Sequence, residues 1–261
     1  MTRVMGIVNV TPDSFSDGGL WLQSDAAIAR AESLIEQGAD VIDVGGESTR
    51  PGSHPVDEAT ELERTIPVIS AVAAKGVEVS IDTTKAAVAR AAIDAGATIV
   101  NDVSASLENV AASTGAGWIA MHALGDSATM QDDPRYDDVV EDIADFLADA
   151  VRRGHAAGVE RIWVDPGIGF GKTKQHNLEL LANIDRFAQI APVLVGASRK
   201  SVVGQVHAQS DGLLGENPIT GSDDRLEGSV GIAVWSAYLG VDMIRVHDVR
   251  ATVHALSLLK A

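Results

Sequence analysis

Eight short apolar runs, each ending in a polar or glycine-rich loop and each followed by a segment of helical periodicity, predict an α/β fold: a single (β/α)8 TIM barrel over residues 1–261. Two further observations agree. The runs are apolar throughout, as strands buried on both faces are. No linker or composition break interrupts the rhythm, and 261 residues suit one such barrel. A doubly wound open sheet is the alternative, but the dinucleotide fingerprint that often marks it is missing.

The elements follow in order. Val4–Val8 is the first expected strand, ending at Asn9. A helix over Asp25–Gln37 carries Ala27, Ile28, Ala31, Leu34 and Ile35 at helical spacing until Gly38 stops it. Val41–Val44 leads into a glycine-rich loop and a helix over Asp57–Ala74. Val77–Ile81 leads into Asp82 and a helix ending at Ala95 and Gly96. Thr98–Val100 leads into Asn101, Asp102 and a short helix. Trp118–Met121 leads into His122, a polar loop and a helix from Tyr136 to Ala157. Ile162–Val164 leads into Asp165 and a helix over His176–Ile190. Val193–Val195 leads into Gly196–Lys200, and Met243–Val246 into His247, Asp248 and a closing helix. Gln209–Asp224, polar and glycine-containing, is expected to be an exposed insertion.

Composition narrows the function. A net charge of −17 argues against a nucleic-acid partner, and 4% aromatic residues leave few platforms for stacked bases. An anionic substrate must be drawn in by local cations against the global field. There is no cysteine, so thiolate chemistry is excluded. No signal core or apolar stretch of membrane-spanning length is present, so a cytoplasmic protein is expected. The seven histidines form no H-x-H or H-E-x-x-H pair, which argues against a zinc site. Of these, His155, His176 and His254 fall in helical stretches as surface or packing residues.

In a barrel the C-terminal strand ends meet at one mouth, where chemistry resides. There the sequence places Asn9, Gly45–Arg50, Asp82, Asn101, His122, Asp165, Ser198–Lys200 and Arg245–His247. Singly, each has a plain reading: a helix cap, a turn, a packed histidine. Jointly they form a site, since a barrel mouth has no structural need of so many carboxylates, amides and cations. Asp82, Asn101 and Asp165 suit a flat heteroaromatic ring with an amidine-like edge. Arg50, Lys172, Arg199, Lys200, Arg245 and His247 supply positive charge suited to a phosphate or diphosphate. The glycines of D-P-G-I-G-F-G-K (Asp165–Lys172) match no phosphate-loop spacing, and a tight turn and a binding loop remain equally open for them.

The motifs then point to a family. The chain resembles bacterial dihydropteroate synthases end to end, through M-G-I-V-N-V-T-P-D-S-F-S-D-G-G (Met5–Gly19), D-V-I-D-V-G-G-E-S-T-R-P-G (Asp40–Gly52), S-I-D-T (Ser80–Thr83), N-D-V (Asn101–Val103), Met121-His122, Asp165–Lys172, G-A-S-R-K-S (Gly196–Ser201), R-L-E-G-S (Arg225–Ser229) and R-V-H-D-V (Arg245–Val249). The resemblance implies a barrel that joins 6-hydroxymethyl-7,8-dihydropterin diphosphate to p-aminobenzoate with loss of diphosphate. It implies pterin contacts from Asp82, Asn101, Met121, Asp165, Phe170 and Lys200. Diphosphate contacts fall to Asn9, Thr49, Arg245 and His247, and Asn9 is also the protein ligand of Mg2+. Around p-aminobenzoate it places Phe15, Asp17, Thr49, Arg50, Pro51 and Ser201. Catalytic roles go to Asp82, Lys200, Arg245 and His247, and a homodimer is implied through the last helices. The chain departs from the family pattern at Ala123–Ser127, where Asp126 adds negative charge, and it lacks the hairpin that many members place beneath the barrel. A methyltetrahydrofolate–corrinoid methyltransferase and a non-catalytic pterin-binding paralogue are the competing readings. The S-R-K-S and E-S-T-R-P-G motifs weigh against the first, and the retained Arg50, Lys200, Ser201, Arg245 and His247 against the second.

Overall fold

A computed structural model describes residues 2–11, 20–48, 55–125, 129–215 and 217–260. Phe15, Asp17, Thr49, Arg50, Pro51 and Asp126 lie outside the described residues. Within them the expected barrel is present. One parallel sheet runs in the order β6-β5-β4-β3-β2-β1-β8-β7. Its strands are β1 (Arg3–Asn9), β2 (Val41–Gly45), β3 (Glu78–Asp82), β4 (Ile99–Asp102), β5 (Gly117–Met121), β6 (Ile162–Asp165), β7 (Leu194–Val195) and β8 (Met243–Val246). The ends meet through a bridge between Val164 and Val193 and the Val164 N–H donating to the Pro192 carbonyl at 3.0 Å.

The helices are α1 (Leu20–Glu36), α2 (Glu58–Ala73), α3 (Ala86–Asp94), α4 (Glu108–Thr114), α5 (Val139–Ala157), α6 (Lys174–Ala182), α7 (Ile184–Ala188), α8 (Ser201–Ser210), α9 (Leu226–Tyr238) and α10 (Val249–Ser257). Local chemistry sets several of their limits. Asp57 caps α2 by accepting from the Thr60 N–H, and Asp138 caps α5 from the Val140 and Glu141 N–H groups, so α5 starts past Tyr136. Thr173 and His176 form a reciprocal capping box on α6. The single helix expected over His176–Ile190 is two, broken at Asn183, whose side chain donates to the Glu179 carbonyl at 2.8 Å. Helix α1 begins earlier than Asp25, and Gln209–Asp224 is the last turn of α8 followed by a largely exposed loop.

Two apolar layers flank the strands. The larger packs strand faces such as Val44, Ile81, Val100 and Val164 against helix residues such as Leu34, Ile69 and Leu147. The smaller fills the barrel interior with Met5, Val41, Ile99, Ile119, Trp163, Leu194 and Met243. Strand alternation then fixes the rest, because residues two further along share a face. Above the inner layer come Asp43, Asn101, Met121, Asp165 and Arg245. None of the described helices is long and apolar enough to cross a membrane.

Candidate active site

Register brings the strand-end residues to one level. Asn9 pairs with Gly45, Gly45 with Asp82, and Asp82 with Asn101, while Met121 pairs with Asp165. The centre of the cluster is Arg245 on β8. Its Nε donates to Asp43 Oδ2 at 2.6 Å and its Nη2 to Asp82 Oδ2 at 2.7 Å. Asn101 Nδ2 donates to Asp43 Oδ2 at 3.2 Å. Asp43 is wholly buried and was not among the strand-end candidates. It ties the arginine and the amide together.

Asp82 combines two opposed influences. Burial pushes its carboxyl up to about 7; Arg245 pulls it down, and Asp43 and Glu61 push it up again. Burial therefore outweighs the salt bridge. Its second oxygen, Oδ1, is buried and has no hydrogen-bond partner among the described residues, the condition of a group that a ligand N–H completes. Asp165 is likewise raised by burial, against Lys200 and the N–H of Gly167, which donates to its Oδ1 at 2.7 Å. Burial opposes the charge on Arg245, yet Asp43 and Asp82 hold its pKa above the ordinary arginine value.

Lys200 reaches the same pocket from the β7 loop. Its Nζ donates to the Ile168 carbonyl and lies 4.4 Å from the Phe170 ring centroid, a cation–π contact. Burial lowers its pKa to about 8, against the pull of Asp165. Met121 is buried and Phe170 half-buried, so each can offer an apolar wall. Ser201 is exposed as the first residue of α8. His247 is held at its ring Nδ1 by Ser198 Oγ at 3.1 Å, and its N–H donates to the same hydroxyl at 3.2 Å.

Two expected mouth cations are employed elsewhere. Lys172 is buried beneath the β6 loop, with its Nζ 3.0 Å from His122 Nδ1 and 2.9 Å from the Phe170 carbonyl. Burial lowers it to about 7 and lowers His122 to about 3. His122 is thus a packed, neutral acceptor. Arg199 forms a two-point ion pair with Asp248 at 2.8 and 2.5 Å. The β6 glycines also resolve as a turn, since the Gly167 and Gly169 N–H groups are taken by Asp165 and Asn177 side chains. Gly167 has φ +68°, and a Cβ there would lie 1.8 Å from the His122 carbonyl oxygen. Asp102 points away from the mouth and accepts from Ser106, Leu107 and Trp118.

Beneath the β2 loop lies a group that the motifs did not reveal. Lys85 bridges Glu47 and the fully buried Glu61 of α2, the latter at 2.6 Å.

A parallel barrel whose mouth gathers buried carboxylates, an amide, a lysine and an arginine is of the class whose strand ends hold a binding site, and these groups suit a polar heteroaromatic ring. Residues 5–247 match the profile of the family described as pterin binding enzyme. The chain is 44% identical to the dihydropteroate synthase of Escherichia coli K12, over 99% of this chain and 91% of that protein. It is also 44% identical, over 98% of its own length, to a probable bifunctional folylpolyglutamate synthase/dihydropteroate synthase of Haloferax volcanii, of which it spans 30%. Dihydropteroate synthase from Xanthomonas albilineans, solved with 4-aminobenzoic acid, superposes with a TM-score of 0.90 at 41% identity, covering 99% of this chain and 92% of that one. The chain therefore belongs to the pterin-binding enzymes and, among them, to the dihydropteroate synthase family.

Proposed function

We propose that this protein condenses 6-hydroxymethyl-7,8-dihydropterin diphosphate with p-aminobenzoate, forming 7,8-dihydropteroate and diphosphate. The observation that carries the reading is the buried, unpartnered Oδ1 of Asp82, on the level of Asn101 and beside Arg245. In this reading Asp82, Asn101 and Asp165 take the donor edge of the pterin. Lys200 donates to its carbonyl and ring nitrogen, and Met121 and Phe170 flank the ring. Ser201, at the amino end of α8, meets the p-aminobenzoate carboxylate. Phe15, Asp17, Thr49, Arg50 and Pro51 complete that side and the diphosphate side.

The proposed chemistry is dissociative. The bond between the exocyclic methylene and the diphosphate oxygen breaks first, and its electron pair leaves with diphosphate. Arg245 and His247 stabilise that developing negative charge. The cation left on the pterin is stabilised by Asp82 and Asp165. The neutral aryl amine then attacks the methylene and loses a proton. No covalent enzyme intermediate is required.

A Mg2+ ion fits this arrangement through Asn9. Among the described residues no group of three or more His, Asp or Glu could cage a metal. Mg2+ needs no such cage, because it keeps waters and is completed by substrate phosphates. Asn9 ends β1 beside Gly45, and its Oδ1, a hard oxygen, lies 3.8 Å from where a Cβ on Gly45 would sit. When bound, Mg2+ would neutralise charge on the leaving diphosphate.

The proposal extends to a homodimer. Trp235 and Tyr238 stack at 6.3 Å on α9 and are 47% and 73% exposed, with Leu258 and Leu259 also exposed. Such a patch fits a second copy, and Tyr238→Lys should lower the mass in light scattering from two chains to one. A cytoplasmic location belongs to the same reading and is checked by cell fractionation. Lys200→Ala tests the site. It should cost at least ~2 kcal/mol of transition-state binding, about 30-fold in kcat/KM. Near-normal kcat/KM would remove Lys200 from the site.

A further inference from the structure

The R-L-E-G-S segment at the start of α9 has no ligand role in the reading above, yet its Arg225 and Ser229 side chains converge on the loop that carries Lys200. We infer that Arg225 and Ser229 are positioning residues, clamping the backbone of Arg199 so that the Ala197–Ser201 turn presents Lys200 and Ser201 to the mouth. This inference rests on the synthase reading for its catalytic consequence.

The turn closes through the Lys200 N–H donating to the Ala197 carbonyl at 3.2 Å. Arg199 therefore sits at its third position and has φ +58°. That position in such a turn favours glycine. A side chain held there is disfavoured and persists only where its surroundings over-determine it.

The over-determination is visible on both sides of the residue. The Arg199 N–H donates to Ser229 Oγ at 2.9 Å, and that hydroxyl donates to the Arg225 carbonyl at 2.5 Å. The Arg199 carbonyl accepts from Arg225 Nη1 at 2.9 Å. Arg225 Nε and Nη2 both go to the Thr220 carbonyl, at 3.1 and 2.5 Å. These hydrogen bonds of Arg225 all end on backbone carbonyls rather than carboxylates, an arrangement that fixes backbone. Gly204 of α8 leaves room for it, since a Cβ there would lie 2.5 Å from Arg225 Nε. From the opposite side, Asp248 pairs with the Arg199 guanidinium and Ser198 Oγ holds His247. The clamp thus joins α9 and the end of β8 to the one turn from which Lys200 and Ser201 emerge. Both substrates depend on that turn.

Ser229→Ala and Ser229→Thr in the full chain test the clamp by two readouts. The first is hydrogen exchange of the backbone over residues 197–202. The second is the set of kcat and KM values for both substrates. Ser229→Ala should speed exchange in that segment and lower kcat/KM for both substrates together by about five- to tenfold, the weight of one or two net hydrogen bonds. Ser229→Thr, which keeps the hydroxyl, should restore both. Arg225→Met should act in the same direction as Ser229→Ala. Unchanged exchange in Ser229→Ala overturns the clamp. So does a lowered melting temperature with unchanged kinetics, which would make the hydroxyl a plain helix-packing group. If the unmodified protein forms no dihydropteroate, the synthase reading fails instead, and the exchange result still decides the clamp.

Discussion

Asp82 is held between a salt bridge and its own burial, and this gives a testable pH dependence. Its carboxyl is raised to about 7 in the folded protein from an ordinary value of 3.8. Between roughly pH 4 and 7 the folded state therefore binds a proton that the unfolded state has released. Its contribution to stability falls as pH rises through that window and is lowest above 7. Asp82→Asn carries no titrating group there. On going from pH 5 to pH 8, the unmodified ligand-free protein should lose more melting temperature than the variant, by on the order of 5 °C. Parallel profiles would show that Arg245 keeps the carboxyl ionised throughout. Much of this residue set was legible in the sequence, because Asp82, Asn101 and Asp165 stand at strand ends. Asp43 was not legible in that way, because it lies inside β2, two residues before the strand end. Its signal was the period-2 alternation of β2, which puts Val41, Asp43 and Gly45 on one face. Lys172 misled for the opposite reason: a lysine after a glycine loop suggests phosphate, but burial and the acceptors around its Nζ assign it to the packing of His122 and Phe170.

Among the elements, the β6 loop shows how a motif's letters serve shape before chemistry. Gly167 and Gly76 both have positive φ, +68° and +78°, but only Gly167 faces a wall, the His122 carbonyl oxygen. The pair separates backbone conformation from close approach. Gly76→Ala should cost about 1 kcal/mol for the left-handed backbone alone. Gly167→Ala should cost about 3 kcal/mol or more by chemical denaturation, because a backbone oxygen has to move as well. Similar costs for the two would mean that the loop yields easily. Element boundaries were legible where a cap or glycine stands at the edge of the apolar pattern, as at Asp57 and Gly38; at Asp138 the cap was present, but the pattern carried the expected helix back to Tyr136. The break at Asn183 was not, since apolar spacing runs on through Leu180, Leu181 and Ile184 and hides a side chain that turns back on the Glu179 carbonyl.

For the whole molecule, the barrel gathers residues far apart in sequence into one ring. Asp43 and Arg245 meet at 2.6 Å across 202 positions of chain. The unit count made this architecture legible, but the pairing of individual charges within the mouth depends on strand stagger, which no local pattern encodes. The net charge of −17 places a further demand on the cations of the mouth, since in the proposed reaction they must attract an anionic substrate against the field of the surface. The most direct test is release of diphosphate from 6-hydroxymethyl-7,8-dihydropterin diphosphate by the purified protein with Mg2+, with and without p-aminobenzoate. The account predicts dihydropteroate and diphosphate in equal amounts when the amine is present. Failure to form dihydropteroate from both substrates under those conditions would contradict it.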